Sequence, residues 1–146
     1  MRRAARVSAG PRSHMNDLYS HLWQLPRSID SRGGFRPAVD LYRREDPPAL
    51  IAVAELPGVD PADVEIAVAD GRLVIAGHRR RYAAGQRVLQ LEIEHGEFRA
   101  EVELPEDVDA SSAAAQFDRG LLTIALPVAQ RAVLRRTVTI TMTRSS

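Results

Sequence analysis

The chain has 146 residues, 45% hydrophobic and 27% charged, with a formal net charge of +1; this suits one globular domain with arms and excludes both full disorder and a second domain. Cysteine is absent, and all 20 basic residues are Arg, with no Lys. Disulfides, thiol nucleophiles, Cys-ligated zinc, Schiff-base amines and phosphate-loop lysines are therefore excluded on residue inventory alone.

Charge is segregated along the chain: +5 on residues 1–37, −8 on residues 38–127 and +4 on residues 128–146. Two basic arms flank an acidic core. Gly10-Pro11, Pro26, Gly33-Gly34 and Pro37 punctuate the first 37 residues, which read as a flexible arm. Its one apolar cluster is Leu18, Tyr19, Leu22, Trp23 and Leu25, at amphipathic-helix spacing after Asn16 and Asp17, and Pro26 ends it. Such a short helix is marginal alone and must dock on its own domain or on a partner. Met15 offers a second start, and residues 1–14 share the Arg-rich, acid-free character of a transit peptide. No run reaches the roughly 18 apolar residues of a transmembrane helix, and no secretory signal is present, so the expected address is cytoplasmic, without a membrane partner.

From Pro37 to Pro127 the period becomes two. Ala38 to Arg43 and Leu50 to Leu56 are extended runs separated by a turn over Arg43 to Pro48. Val64, Ile66 and Val68 alternate with Glu65 and Ala67, and Asp70-Gly71 then predicts a hairpin to Leu73-Val74-Ile75-Ala76. Leu89, Leu91 and Ile93 are apolar at odd numbers, whereas Phe98, Ala100, Val102 and Leu104 are apolar at even numbers. The parity flips at His95-Gly96, which predicts a bulge or two separate strands. Ala113, Ala115 and Phe117 lead through Asp118-Arg119-Gly120 to Leu122, Ile124 and Leu126. The fold class expected is all-β, an antiparallel immunoglobulin-like sandwich of seven to eight strands over residues 38–127. Residues 128–146 form a basic tail in which Val138-Thr139-Ile140-Thr141-Met142 alternates like a strand. A lone strand must add to its own sandwich or to a neighbouring subunit.

Reaction chemistry finds little footing. None of the 9 serines sits in a nucleophile elbow, and His14, His21, His78 and His95 lack metal-ligand spacing. The carboxylates of Glu92-Glu94 and Glu101-Glu103 fall on the polar phase of strands, as on a solvated face. His78-Arg79-Arg80-Arg81-Tyr82 puts cations beside an aromatic, but the acidic core and the absence of a reader motif argue against nucleic acid as a partner. No cofactor, metal or enzymatic activity is expected.

Several elements resemble the small heat-shock protein family and its α-crystallin domain over about residues 38–140. Pro37 to Tyr42 looks like that domain's opening strand, and Glu55-Leu56-Pro57-Gly58-Val59 with Asp63 to Ile66 is similar to its L-P-G-V linker and next strand. Gly96-Glu97-Phe98 and Leu104-Pro105-Glu106 resemble its G-x-F and L-P-E elements. Ala115 to Pro127 resembles its A-x-x-x-x-G-x-L signature with closing proline, and Val138-Thr139-Ile140 its I-x-I anchor. Two departures stand out: the family's Arg after G-x-F is Ala100 here, with Arg99 one residue earlier, and its E-R pair is Glu92-Ile93.

The resemblance implies an ATP-independent holdase that captures unfolding proteins as an oligomer of dimers and hands them to ATP-dependent chaperones downstream. An adaptor of the related CS type, with the same sandwich but a folded partner, is the alternative. On the first reading, Leu18, Tyr19, Leu22, Trp23 and Leu25 bind clients. The loop from Gly77 to Arg87 carries Val88, Leu89, Leu91 and Ile93 across to a partner in strand exchange. Val138 and Ile140 plug into a groove of another subunit, formed by Val64, Ile66, Val68, Ala113, Ala115 and Phe117.

Overall fold

A computed structural model describes residues 34–81, 85–130 and 138–144. The helix expected around Leu18, Tyr19, Leu22, Trp23 and Leu25 lies outside them. Nine strands are described: β1 (Val39–Glu45), β2 (Pro48–Glu55), β3 (Val64–Ala69), β4 (Arg72–Arg79), β5 (Gly96–Glu103), β6 (Ala114–Asp118), β7 (Leu121–Pro127), β8 (Val138–Thr139) and β9 (Met142–Arg144). They form two sheets, ordered β1-β2-β7-β6-β9 and β5-β4-β3-β8. All pairings are antiparallel except β6 with β9. The β-sandwich expected from the period-two pattern is the fold observed.

Local chemistry sets the turns. Asp70 and Gly71 both take positive φ, 51° and 72°, and so do Arg119 and Gly120, 48° and 80°. Positive φ at both central residues is the type I′ geometry whose twist matches the flanking strands. Gly96, at φ 95°, opens β5; residues 88–95 before it are irregular, so the parity flip in the sequence marks where the strand begins. At the first hairpin the strands run further than the sequence indicates, with Glu45 opposite Pro48. Charged Arg43 and Glu45 fit there because both faces of that end are wet. Arg43 donates to both oxygens of Glu106, at 2.7 and 3.2 Å, and pairs with Glu45. The guanidinium holds the Glu106 carboxyl below the usual carboxylate range.

The core lies between the sheets. Leu50, Leu56, Ile66, Leu73, Ile75 and Phe98 are fully buried, as are Leu122, Ile124 and Leu126 on β7. Each such side chain contributes roughly 1.5–3 kcal/mol of gross burial energy. Strand β2 reaches its interior position only by pairing with β7, from Ala49 opposite Pro127 to Glu55 opposite Leu121. Phe35, which the sequence pattern leaves in the arm, is also core. It bridges to Phe98, their rings 5.4 Å apart, and its backbone bonds Glu97 and Arg99 along the edge of β5. Ala100 is buried opposite Ile75, so the family's Arg position is apolar here. Arg99 lies on the other face, itself buried, and bonds Glu101 at 2.6 and 3.2 Å.

Gly77 marks the tightest approach in the fold. A Cβ there would stand 2.1 Å from the Asp63 carbonyl oxygen and 2.6 Å from Phe98 Cζ. Neither can retreat, because one is backbone and the other is packed in the core. Gly77→Ala should therefore destabilise the domain by about 3 kcal/mol, near the top of the range for overpacking. Urea unfolding measures this, and a loss below about 1 kcal/mol would mean that β4 can move away from the Asp63 backbone.

Candidate functional site

The C-terminal segment runs as a strap over the side of the sandwich where the two sheet edges β3 and β6 lie. Val138 and Thr139 pair with Val68 and Ala67 on β3. The Ile140 N–H donates to the Ile66 carbonyl at 3.0 Å. The strap then crosses to the other sheet, where Met142, Thr143 and Arg144 run parallel to Ala115, Gln116 and Phe117 of β6. One short segment thus covers an edge of each sheet.

Between those edges lies an apolar groove. Ile66, Val68, Ala115 and Phe117 are buried in the common core, and Val64 and Ala113 pack against it partly buried. These are the six residues expected to form the groove. In this single chain their occupant is the chain's own tail, with Ile140 inserted and 6% exposed. Val138, the other expected anchor, is only half-buried. The β6 wall is set by Asp109, whose carboxylate accepts from the Ser111 N–H and from the Ser111 and Ser112 hydroxyls. These bonds depress its pKa and fix the 3-10 turn Ala110–Ser112 that leads into β6.

On the opposite side of the fold the chain leaves β4 at Arg79, three residues later than the sequence pattern indicates, and returns at Gly96. The described part of this excursion from Val88 to His95 is irregular rather than a strand. Its apolar residues are exposed: Val88 is 48% exposed, Leu89 83%, Leu91 53% and Ile93 79%. An open cleft of about 1470 Å³ separates it from the body and is lined by Phe35, Pro57, Arg79, Leu89, Leu91 and His95, among others.

Arg79 ties the base of this excursion together. Its Nε and Nη2 donate to the Glu94 carbonyl, its Nη1 to the Pro57 carbonyl at 3.2 Å, and its guanidinium lies 4.1 Å over the Phe35 ring. Nothing in the local sequence announces this role, since its partners lie 15, 22 and 44 positions away. Arg81 Nη2 lies 2.7 Å from His95 Nε2. A guanidinium only donates, so Nε2 accepts and Nδ1–H faces the Ile93 carbonyl, 3.3 Å away. Arg80 grips Asp63 with two bonds, at 3.0 and 3.1 Å. Tyr42, 56% exposed, marks β1 as an edge strand whose outer side pairs with no other described strand. Among the described residues, no cluster of His, Asp and Glu is placed to hold a metal ion, and no helix is long and apolar enough to cross a membrane.

Comparison with known proteins gives the geometry its context. The sequence profile of the "Hsp20/alpha crystallin family" matches residues 43–141. The chain is 34% identical over 113 residues to "Spore protein SP21" of Stigmatella aurantiaca, an alignment covering 76% of this chain and 64% of that protein. It is 34% identical over 123 residues to "Alpha-crystallin" of Mycobacterium tuberculosis, covering 80% of this chain and 84% of that one. Among solved structures, "Heat shock protein 16.0 from Schizosaccharomyces pombe" superposes with a TM-score of 0.60 at 26% identity, over 70% of this chain and 94% of that one. The profile match runs from the end of β1 through the anchor Ile140. The match takes in most of the sandwich and the first half of the strap, and the chain belongs to the Hsp20/alpha crystallin family, the small heat-shock proteins.

Proposed function

We propose that the protein is an ATP-independent holdase, working as an oligomer of dimers, that shields the apolar surface of unfolding proteins and leaves their release to ATP-driven chaperones. The observation that supports this reading is the C-terminal strap, which crosses from the edge of β3 to the edge of β6. Its contacts are two short pairings and a few side chains at the chain's end, so it can open without unfolding the sandwich. A partly unfolded client exposes apolar surface and aggregates, and a binder that covers that surface prevents aggregation without turnover.

Client capture belongs to Leu18, Tyr19, Leu22, Trp23 and Leu25, the largest apolar cluster in the arm. Dimers form when Val88, Leu89, Leu91 and Ile93 of one chain add as a strand to the open β1 edge of another. The test is light scattering of a heat-labile client enzyme. Suppression should be equal with and without ATP, and a chain lacking residues 1–33 should lose most of it. The deletion stops at residue 33 because Phe35 is core. Protection undiminished by the deletion would move the client site to the sandwich, and protection that needs ATP would overturn the holdase reading.

A further inference from the structure

We propose that the outer face of the four-stranded sheet is the seat of the chain's own apolar arm segment, Leu18 to Leu25, so that sheet and client compete for one set of side chains. The competition rests on the reading of that segment as the client binder; the seat does not.

In β3 and β4 the residues that alternate with the core side chains are small. Ile66, Val68, Leu73 and Ile75 point into the sandwich, so Ala67, Ala69, Val74 and Ala76 occupy the opposite face. The register sets them side by side, Ala67 opposite Val74 and Ala69 opposite Arg72, with Ala76 opposite Arg99 of β5. The second sheet packs on the other side, and none of the nine described strands lies over this one. Yet Ala67 is 2% exposed, Ala69 5%, Val74 3% and Ala76 1%, and even the charged Arg99 only 7%. Side chains stand perpendicular to a sheet, so a short methyl group on an open face stays in contact with water. Four small side chains this dry have a cover. Ala67 and Ala76 accordingly form a second apolar cluster, apart from the main core.

Position, reach and complementarity select the arm as that cover. The described chain enters at Gly34, and Phe35 then bonds the Glu97 carbonyl and the Arg99 N–H along β5, at the margin of this face. Leu25 lies ten residues before Phe35, up to about 33 Å of extended chain, whereas the four strands span about 14 Å. A floor of alanine and valine leaves room for large side chains, and Leu18, Tyr19, Leu22, Trp23 and Leu25 are the arm's only apolar cluster. Glu65, Glu97, Glu101 and Glu103 stand around the floor against Arg72 and Arg99, while residues 1–33 carry six Arg against Asp17 and Asp30. A helix too short to persist alone gains there the surface it needs. Once seated, it has no free face for a client, so capture begins with its release.

The full chain has one Trp and no Cys, so one quencher and one label can be placed without background. A bimane label on Glu65→Cys, opposite Ala76 on this face, should lose most of its emission to contact quenching by Trp23, and Trp23→Phe should restore it. The same label on Gln116→Cys, exposed on the outer face of the other sheet, should stay bright in both backgrounds. Ala67→Gln with Ala76→Gln fills the floor and should release the quenching. Leu22→Ser with Leu25→Ser should release it from the arm's side, and serves if the glutamine pair folds poorly. Equal brightness at position 65 with and without Trp23→Phe, or quenching that survives both pairs of substitutions, would overturn the seat. So would quenching of labelled Trp23→Phe chains on mixing with unlabelled wild chains, which would assign the face to a neighbour's arm. A saturating heat-denatured client enzyme should also restore the emission. Quenching that Trp23→Phe abolishes but the client leaves unchanged upholds the seat and overturns client capture by this segment.

Discussion

Replacing Leu89, Leu91 and Ile93 together with serine should leave the protein monomeric. In the single chain these three side chains are 83%, 53% and 79% exposed, which is where apolar residues sit when their cover comes from another molecule. A symmetric exchange buries three on each protomer. At roughly 1.5–3 kcal/mol for each fully buried side chain, even one third of the gross burial energy of six amounts to at least about 3 kcal/mol. The dimer should therefore weaken by more than about 100-fold. Deleting residues within 82–86 should act in the same direction by shortening the reach of the arm. Gly77 and Arg79 must be left intact, since both are structural. Sedimentation velocity reads the outcome, and a dimer that survives both changes rules out exchange through this segment.

The double variant Val138→Gly with Ile140→Gly should bring the oligomer down toward dimers. Ile140 is inserted in the groove with its amide bonded to Ile66, and Val138 pairs with Val68. Ile140 gives roughly 1.5–3 kcal/mol of gross burial and half-buried Val138 about half as much, against about 1–2 kcal/mol per ordered residue in backbone entropy. The net per tail is near zero, so a single tail binds and lets go readily. Moving a tail from its own groove to a neighbour's keeps the same contacts, and the gain comes only from many tails acting together through effective concentration. Glycine removes the burial and raises the entropy of the free tail at once. Unchanged native mass by light scattering would exclude the tail as the link between dimers.

The sequence made some of this legible because certain positions admit few solutions. Asp70-Gly71 and Arg119-Gly120 declare their turns, since positive φ at consecutive residues favours few side chains. The parity flip before Phe98 separates the exposed run 88–93 from β5, and alternation puts Ile66, Val68, Ala115 and Phe117 on the face that packs in the core. Evenly spaced Val138, Ile140 and Met142 say that one face is apolar but not which end of it sits deeper. That depends on the register against β6, a parallel partner more than 20 residues earlier. Phe35 is not legible as core, because Gly33-Gly34 and Pro37 bracket it like a loop residue, while its partners Phe98 and Arg79 are distant in sequence. The residues assigned to clients, Leu18 to Leu25, lie outside the described part of the chain.

The pairing of β2 with β7 also fixes an order of events during synthesis. Ala49 meets Pro127, so the apolar run Leu50 to Ala54 has only β1 beside it until almost the whole sandwich has been made. At cellular elongation rates that wait is about 4–16 s. The four-stranded sheet has no such delay between β3 and β4, which a two-residue turn joins. A newborn copy of this protein thus passes through a stage of bare strands with aggregation-prone edges, the same hazard that the proposed holdase activity would shield in others.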